Sequence, residues 1–235
     1  MEIHEGHRQR YDFFTERIHG KVLDAGCGPG LGTVILAKRA DEVVGIDLDE
    51  SSLAYANEHT LPNITYIKMD VTKMDFPDST FDCGVSSEVI EHMGEADQHK
   101  YLKELQRVVK PGAPIFISTP DWYVWHKKLA LSWDEHIREL TKKQLGEIAG
   151  LYFNVDDFYG QWKMVKVSRY KRVIRNVLNI IKKADVFQFR YVVSKNLRMK
   201  IDKGTSLVNQ DHWKVEKLED GEIASQQLIV CRNKK

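Results

Sequence analysis

The chain has 235 residues, of which 42% are hydrophobic, and its formal net charge is +1. This length and apolar content suit one α/β domain with an insertion. No apolar run approaches the roughly 20 residues of a membrane-spanning helix, and the polar N-terminus does not resemble a signal peptide. The three cysteines, Cys27, Cys83 and Cys231, lack metal-ligand spacing. We therefore expect reduced thiols and a cytoplasmic protein.

The charge is unevenly distributed along the chain. Residues 163–203 contain thirteen Lys or Arg and two Asp, a local charge of +11, so that the rest of the chain carries −10. This asymmetry indicates an anionic partner on one face of the protein.

The chain begins with a predicted helix, a strand and a glycine-rich loop. Apolar side chains within residues 5–18 predict the helix, and an aliphatic run at residues 21–23 predicts the first strand. The loop at residues 24–30 reads Asp-Ala-Gly-Cys-Gly-Pro-Gly, and its glycines allow a sharp turn and close approach to a ligand. Helical spacing resumes at Leu31, so the free N–H groups of that helix start would face the ligand.

The next two strands are each followed by a carboxylate. Residues 43–47 predict a buried strand that ends at Asp47, and a helix follows over residues 50–59. Residues 63–69 predict a third strand that leads into Asp70, with Asp75 in the following loop as a weaker alternative ligand.

Strands and helices continue to alternate beyond this point. The predicted elements are a strand at 80–86, a helix ending at the turn 110–112, a strand at 115–119, a helix from its N-cap Thr141 to Ala149, a strand beginning at 151–155, and a closing pair at 213–218 and 226–231. Such alternation predicts a parallel sheet with right-handed crossovers. Ligands of such sheets bind beyond the carboxyl ends of the strands, where the glycine loop, Asp47, Asp70 and Ser86 converge.

These motifs resemble those of the class I S-adenosylmethionine (SAM)-dependent methyltransferases. The resemblance rests on D-x-G-C-G-x-G at residues 24–30, G-I-D at 45–47, F-D at 81–82 and L-x-E-x-x-R-V-V-K-P-G at 102–112. It is strong over residues 20–120 and looser over 120–160. It implies a Rossmann-like, doubly wound, seven-stranded and mostly parallel sheet with an antiparallel last strand. The implied cofactor is SAM, with S-adenosylhomocysteine as its product.

The resemblance also implies roles for individual residues of the loop and strand ends. Asp24 would anchor the loop or the methionine amino group, and Asp47 would hold the ribose. Asp70 and the backbone of Val71 would contact the adenine, and Tyr11 would cover the cofactor or simply pack against the sheet. The remaining expected cofactor contacts are Gly26, Cys27, Gly28, Gly30, Leu48, Ser86 and Ser87.

A cluster of acidic residues and histidine follows the fourth strand. Glu88, Glu91 and His92 would share one face if this turn were helical, and His136 is a candidate fourth ligand for Mg²⁺, Mn²⁺ or Zn²⁺. The E-x-x-E-H pattern resembles ubiquinone-pathway O-methyltransferases and small-RNA 2′-O-methyltransferases, in which an ion activates the acceptor hydroxyl. Alternatively, His92 is a general base or a pocket residue without a metal, or the cluster is structural.

We expect residues 1–160 and 206–235 to form the SAM-binding domain and residues 161–205 to form an inserted, basic, mainly helical cap. Apolar residues at helical spacing within 169–183 predict an amphipathic helix with a basic flank. The insertion could be a substrate lid, lie on an anionic membrane surface or bind nucleic-acid phosphates. Nucleic acid is the less favoured partner, because the net charge is near zero and the sequence shows no RNA-binding module.

The expected reaction is methyl transfer from SAM to an oxygen of a small-molecule, glycan or lipid-linked acceptor, with Glu88, Glu91 and His92 as the catalytic residues. The alternatives are a metal-dependent RNA 2′-O-methyltransferase and a SAM-binding regulatory protein without catalysis.

Overall fold

A computed structural model of the chain describes residues 3–129, 135–163, 214–219, 222 and 224–234. The amphipathic helix predicted at 169–183, and every other expectation about residues 164–205, lie outside this part of the chain. Among the described residues, no helix combines the length and apolar character needed to cross a membrane.

Along the first 120 residues helices and strands alternate as the sequence predicts, except that no helix separates the third strand from the fourth. In chain order the elements are α1 (Glu5–Thr15), β1 (Lys21–Ala25), α2 (Leu31–Leu36), β2 (Glu42–Asp47), α3 (Glu50–Glu58), β3 (Ile64–Lys68), β4 (Cys83–Ser87), α4 (Glu95–Val108), β5 (Pro114–Pro120), α5 (Lys142–Tyr152), β6 (Phe153–Lys163), β7 (Glu216–Lys217) and β8 (Ala224–Asn233). A 3₁₀ turn at Ile90–His92 follows β4, and a π-helical segment at Tyr123–Leu129 follows β5.

The strands form one sheet in the order β3-β2-β1-β4-β5-β8-β6-β7. Strands β1 to β5 pair in parallel, and β8 runs antiparallel to β5. The predicted Rossmann-like, mostly parallel α/β class is confirmed. The expectation of seven strands is wrong, because the short strand β7 adds an eighth by pairing antiparallel with the end of β6.

Apolar side chains cover both faces of the sheet. Because successive side chains of a strand point to opposite faces, Val43 and Val44 belong to different buried clusters. Val43 lies in the cluster that includes residues of α1 and α2, and Val44 lies in the cluster that includes residues of α4 and α5. Two buried layers therefore hold the carboxyl ends of β1, β2 and β4 in a fixed arrangement.

Several strand boundaries differ from the sequence prediction, among them the starts of β4 and β6. Strand β4 begins at Cys83, because Phe81 makes only an isolated bridge to Val109. Helix α5 continues to Tyr152, so β6 starts two residues later than expected, at Phe153. The predicted N-cap of α5 is confirmed: Thr141 forms a capping box with Gln144.

A buried carboxylate ties α1 and α2 to the end of β1. Asp24 is fully buried and accepts hydrogen bonds from the hydroxyl groups of Thr33 at 2.7 Å and Tyr11 at 3.1 Å. Burial raises the pKa of Asp24 to about 6, although both hydrogen bonds favour the ionised form. The two helices that flank the glycine loop are thereby joined to the same strand.

The raised pKa of Asp24 predicts a pH-dependent contribution to stability. An aspartate whose pKa is about 6 in the folded state and 3.8 in the unfolded state destabilises the fold as the pH rises through that window. Relative to Asp24→Asn, the wild type should lose about 2–3 kcal/mol of unfolding free energy between pH 4 and pH 6, and little more above that range. Denaturant titrations of both proteins at several pH values measure this difference. A difference independent of pH would show that the Asp24 carboxyl does not titrate in this way.

Candidate functional site

A cavity of about 930 Å³ lies at the carboxyl ends of the parallel strands. Helix α1 forms part of its wall through His7 and Tyr11. Burial and the nearby charge of Arg10 lower the pKa of His7 to about 3, so this imidazole is neutral at physiological pH. The strand ends contribute the expected cofactor residues Gly26, Cys27, Gly28, Asp47, Leu48, Asp70, Val71 and Ser87.

The glycine loop is held against the end of β2. The backbone N–H groups of Gly26 and Cys27 both donate to the carbonyl oxygen of Ile46. Gly26 has a φ of 76°, and an added Cβ would collide with Val89. A side chain at this position would therefore require both a strained backbone and a displaced neighbour.

Asp47 links the glycine loop to the start of α3. One oxygen of its carboxylate accepts the N–H of Gly28 at 2.8 Å, and the other accepts the N–H of Asp49 at 3.0 Å. Both loops are therefore fixed around a carboxylate that lines the cavity. This is the position at which a carboxylate grips a ribose hydroxyl in dinucleotide-binding folds.

The side of the cavity at the ends of β2 and β3 combines polar and apolar groups. Asp70 uses one carboxylate oxygen to accept the N–H and the hydroxyl of Thr72, both at 2.8 Å. Leu48 lines the same cavity with 59% of its surface exposed. An exposed leucine beside a fixed carboxylate suits a flat, partly polar ring.

The remaining expected cofactor residues lie away from the cavity wall. Asp24 is buried beneath the loop, where its two hydrogen bonds favour a role as loop anchor over direct contact with a ligand. Ser86 is buried within β4, and Gly30 is the N-cap of α2, with a φ of 76°. Asp75, the alternative to Asp70, is exposed and does not line the cavity.

The expectation that Glu88, Glu91 and His92 share one helical face is wrong. The 3₁₀ turn covers only three residues and ends at His92, while Glu88 precedes it with a φ of 60°. The carboxylate of Glu88 accepts the Ser118 hydroxyl at 3.2 Å and lies 3.9 Å from the guanidinium of buried Arg10. Glu88 lines the cavity, but it does not share a helical face with Glu91 and His92.

Glu91, His92 and His136 instead form a cluster whose candidate ligand atoms all lie within 4.8 Å of one another. Glu91 is fully buried, and one of its oxygens accepts the Thr119 hydroxyl at 2.9 Å. Its other oxygen, Oε1, has no hydrogen-bond partner among the described residues. Burial, reinforced by the Glu88 charge, raises the pKa of Glu91 well above its usual value.

Both histidines of this cluster are oriented by acceptors on their Nδ1 atoms. His92 Nδ1 lies 3.0 Å from the carbonyl oxygen of Glu135, and His136 Nδ1 lies 2.6 Å from a carboxylate oxygen of Glu139. Because a carbonyl or a carboxylate only accepts, each Nδ1 carries the proton. The lone pair of each neutral ring is therefore on Nε2, where an imidazole accepts a proton or ligates a metal.

Sequence reasoning missed two residues of this site. Arg10 lies in α1, a helix that was predicted from its apolar side chains. Nothing in the local sequence pattern indicates that the Arg10 side chain is buried beside Glu88. Glu139 follows His136 by three residues, and this His-x-x-Glu spacing was a usable signal for a paired carboxylate.

Known methyltransferases resemble this chain in sequence. A family model described as a methyltransferase domain matches residues 23–117. A probable S-adenosylmethionine-dependent methyltransferase of Mycolicibacterium smegmatis is 32% identical over 159 residues, which cover 66% of this chain and 60% of the relative. A ubiquinone biosynthesis O-methyltransferase of Hahella chejuensis is 36% identical over 124 residues, 50% of this chain and 51% of the relative.

The fold also matches a solved structure. The YcgJ protein of Bacillus subtilis aligns with a TM-score of 0.60 and 16% identity over 99% of both chains, which shows a shared fold. This chain spans only 60% and 51% of the lengths of the two curated relatives. The family match nevertheless runs from β1 to β5 and contains the glycine loop, Asp47 and Asp70. Residues 23–117 are therefore a SAM-dependent methyltransferase domain.

Proposed function

We propose that this protein transfers a methyl group from SAM to a hydroxyl of a small-molecule, glycan or lipid-linked acceptor. The observation that carries the proposal is the position of the Glu91–His92–His136 cluster. His92 lines the same cavity as the glycine loop, Asp47 and Asp70. This position would bring groups able to activate a hydroxyl next to a bound cofactor.

The cavity wall supports SAM as the cofactor. The carboxylate of Asp47, fixed by two backbone N–H groups, is suited to hold the ribose hydroxyls. Asp70 and the backbone of Val71 would contact the adenine, with Leu48 against the ring. Tyr11, which lines the cavity and donates to Asp24, would cover the methionine end.

The reaction requires the loss of a proton from the acceptor. A lone pair of the acceptor oxygen forms the new C–O bond, the methyl–sulfur bond breaks, and its electron pair leaves with sulfur as S-adenosylhomocysteine. The hydroxyl proton must be taken up because a neutral hydroxyl is a poor nucleophile. The Nδ1–H of His92 faces the carbonyl oxygen of Glu135, so its Nε2 carries the lone pair. When no ion occupies the cluster, His92 is the proposed general base.

The same cluster fits a divalent ion. Glu91 Oε1 is a buried oxygen without a hydrogen-bond partner among the described residues, and two imidazole nitrogens lie within 4.8 Å of the Glu91 ligand atom and of each other. One carboxylate and two imidazoles suit Mn²⁺ or Zn²⁺ better than Mg²⁺, which prefers oxygen ligands. A bound ion would supply positive charge that favours ionisation of the acceptor hydroxyl. Glu88, held by Ser118 and near Arg10, is not part of this three-residue group.

Two further features bear on the acceptor. The relative from Hahella chejuensis is described as an O-methyltransferase, which favours oxygen as the methylated atom. The basic residues at 163–203 favour an acceptor presented at an anionic surface, with residues 161–205 as the substrate lid.

Replacement of Asp47 tests the cofactor site. Asp47→Ala removes the carboxylate that fixes both loops and would hold the ribose, so we expect at least a tenfold loss of SAM affinity by isothermal titration calorimetry. Asp41→Ala is the control, because this exposed aspartate immediately precedes the other end of the same strand. Equal SAM affinity of the Asp47→Ala variant and the wild type would refute the assignment of the ribose site.

Replacement of the cluster tests its role beside the cofactor. We expect purified wild-type protein to bind Mn²⁺ after removal of metals with EDTA, and we expect Glu91→Gln and His92→Gln to weaken this binding by at least tenfold. SAM affinity should stay within about threefold in both variants, since neither residue fixes the glycine loop. His59→Gln, at the exposed end of α3, is the matched control.

If the wild-type protein binds SAM but not Mn²⁺, the proposed metal site is wrong and His92 remains as a general base. In that case His92→Gln should still lower the methylation rate of a catechol acceptor by roughly 10²-fold or more. If the wild type does not bind Mn²⁺ and His92→Gln does not slow methylation, the cluster has no role in the proposed chemistry.

A further inference from the structure

The carboxylate of Glu139 lies between two histidines. Its Oε1 is 2.6 Å from Nδ1 of His136, and its Oε2 is 3.1 Å from Nε2 of His126. The Glu139 side chain is only 2% exposed, and a carboxylate accepts hydrogen bonds without donating any. Both imidazoles therefore direct an N–H group at Glu139, and each carboxylate oxygen has its own donor.

The contact with Glu139 determines which nitrogen of His136 carries the lone pair. The Nδ1 proton lies on the side of Glu139, so Nε2 is the basic atom of the neutral ring. The ring itself packs edge-on against His92, with the two ring centroids 5.0 Å apart. If Glu139 could not accept, His136 would be able to adopt the other tautomer, whose Nε2 bears a proton and cannot ligate a metal.

The backbone of the same segment is attached to the 3₁₀ turn. The N–H groups of Ile137 and Arg138 both donate to the carbonyl oxygen of Glu91, at 2.9 Å and 3.0 Å. The side chain of Gln98 joins the two parts as well, because its amide donates to the carbonyl oxygens of Ile90 and Arg138. These bonds fix the backbone next to His136, and the contact with Glu139 favours the Nδ1–H tautomer of its ring.

We propose that Glu139 is a positioning residue, which holds His136 as its Nδ1–H tautomer and presents Nε2 to the Glu91–His92 pair. Its effect on metal affinity rests on the metal-assisted methyl transfer proposed above, whereas the tautomer is a property of the chain alone. Carboxylates that accept from ligating histidines in this way usually contribute 10–100-fold to metal affinity.

Nitrogen-15 NMR of the imidazole groups tests the tautomer directly, in the full-length protein without metal. We expect the wild type to show His136 as the Nδ1–H tautomer, assigned by its loss in His136→Gln. Glu139→Gln offers a single acceptor oxygen to two imidazole N–H groups, and Glu139→Ala offers none. His136 should therefore become a mixture of tautomers in Glu139→Ala, and His126 or His136 should do so in Glu139→Gln.

Mn²⁺ affinity, measured from the electron paramagnetic resonance signal of the free ion, gives the second measurement. We expect about a tenfold loss in Glu139→Ala, with unchanged affinity for S-adenosylhomocysteine as the test of folding. Glu135→Gln is the matched control, since it removes a carboxylate from the same segment and its side chain is exposed.

The two measurements separate this inference from the proposed function. A wild-type His136 in the Nε2–H form would overturn the inference, as would an unchanged His136 tautomer in Glu139→Ala. The wild type could fail to bind Mn²⁺ while His136 loses its Nδ1–H tautomer in Glu139→Ala. That result would refute the metal site and support the role of Glu139.

Discussion

The parallel pairing of β1 with β2 on one side and with β4 on the other is the constraint on which the site depends. It places the carboxyl ends of three strands at one edge, so that loops far apart in sequence open into a single cavity. The bond from the Gly28 N–H to Asp47 then joins the loops after β1 and β2. The geometry of the glycine loop is thus set by a neighbouring strand as well as by its own glycines.

Burying carboxylates beside this edge is costly unless each receives hydrogen bonds. Asp24 accepts hydrogen bonds from two hydroxyl groups, and Glu139 accepts hydrogen bonds from two imidazole N–H groups. Glu91 differs from both, because only one of its oxygens has a hydrogen-bond partner among the described residues. Under the proposed function, that unmatched oxygen, next to two histidines, would accept a metal ion or a proton.

The order of elements over residues 5–120 could be predicted because hydrophobic periodicity and turn residues are local signals. The same holds for the N-cap of α5, where Thr141 and Gln144 interact within one helical turn. Periodicity was less informative at Glu88. A helical reading requires the backbone there to stay right-handed, whereas contacts with Ser118 and Arg10, from distant parts of the chain, accompany a positive φ.

The sequence by itself determined the α/β class, the glycine loop and the carboxylates at the strand ends. These features follow from short-range patterns of glycine, aliphatic and acidic residues, together with the rule that parallel strands end at a common edge. Only the tertiary structure decided which polar groups meet. It separated Glu88 from Glu91 and His92, brought His136 to them from beyond β5, and paired it with Glu139. Such contacts depend on side-chain direction and long-range packing, which local spacing does not encode.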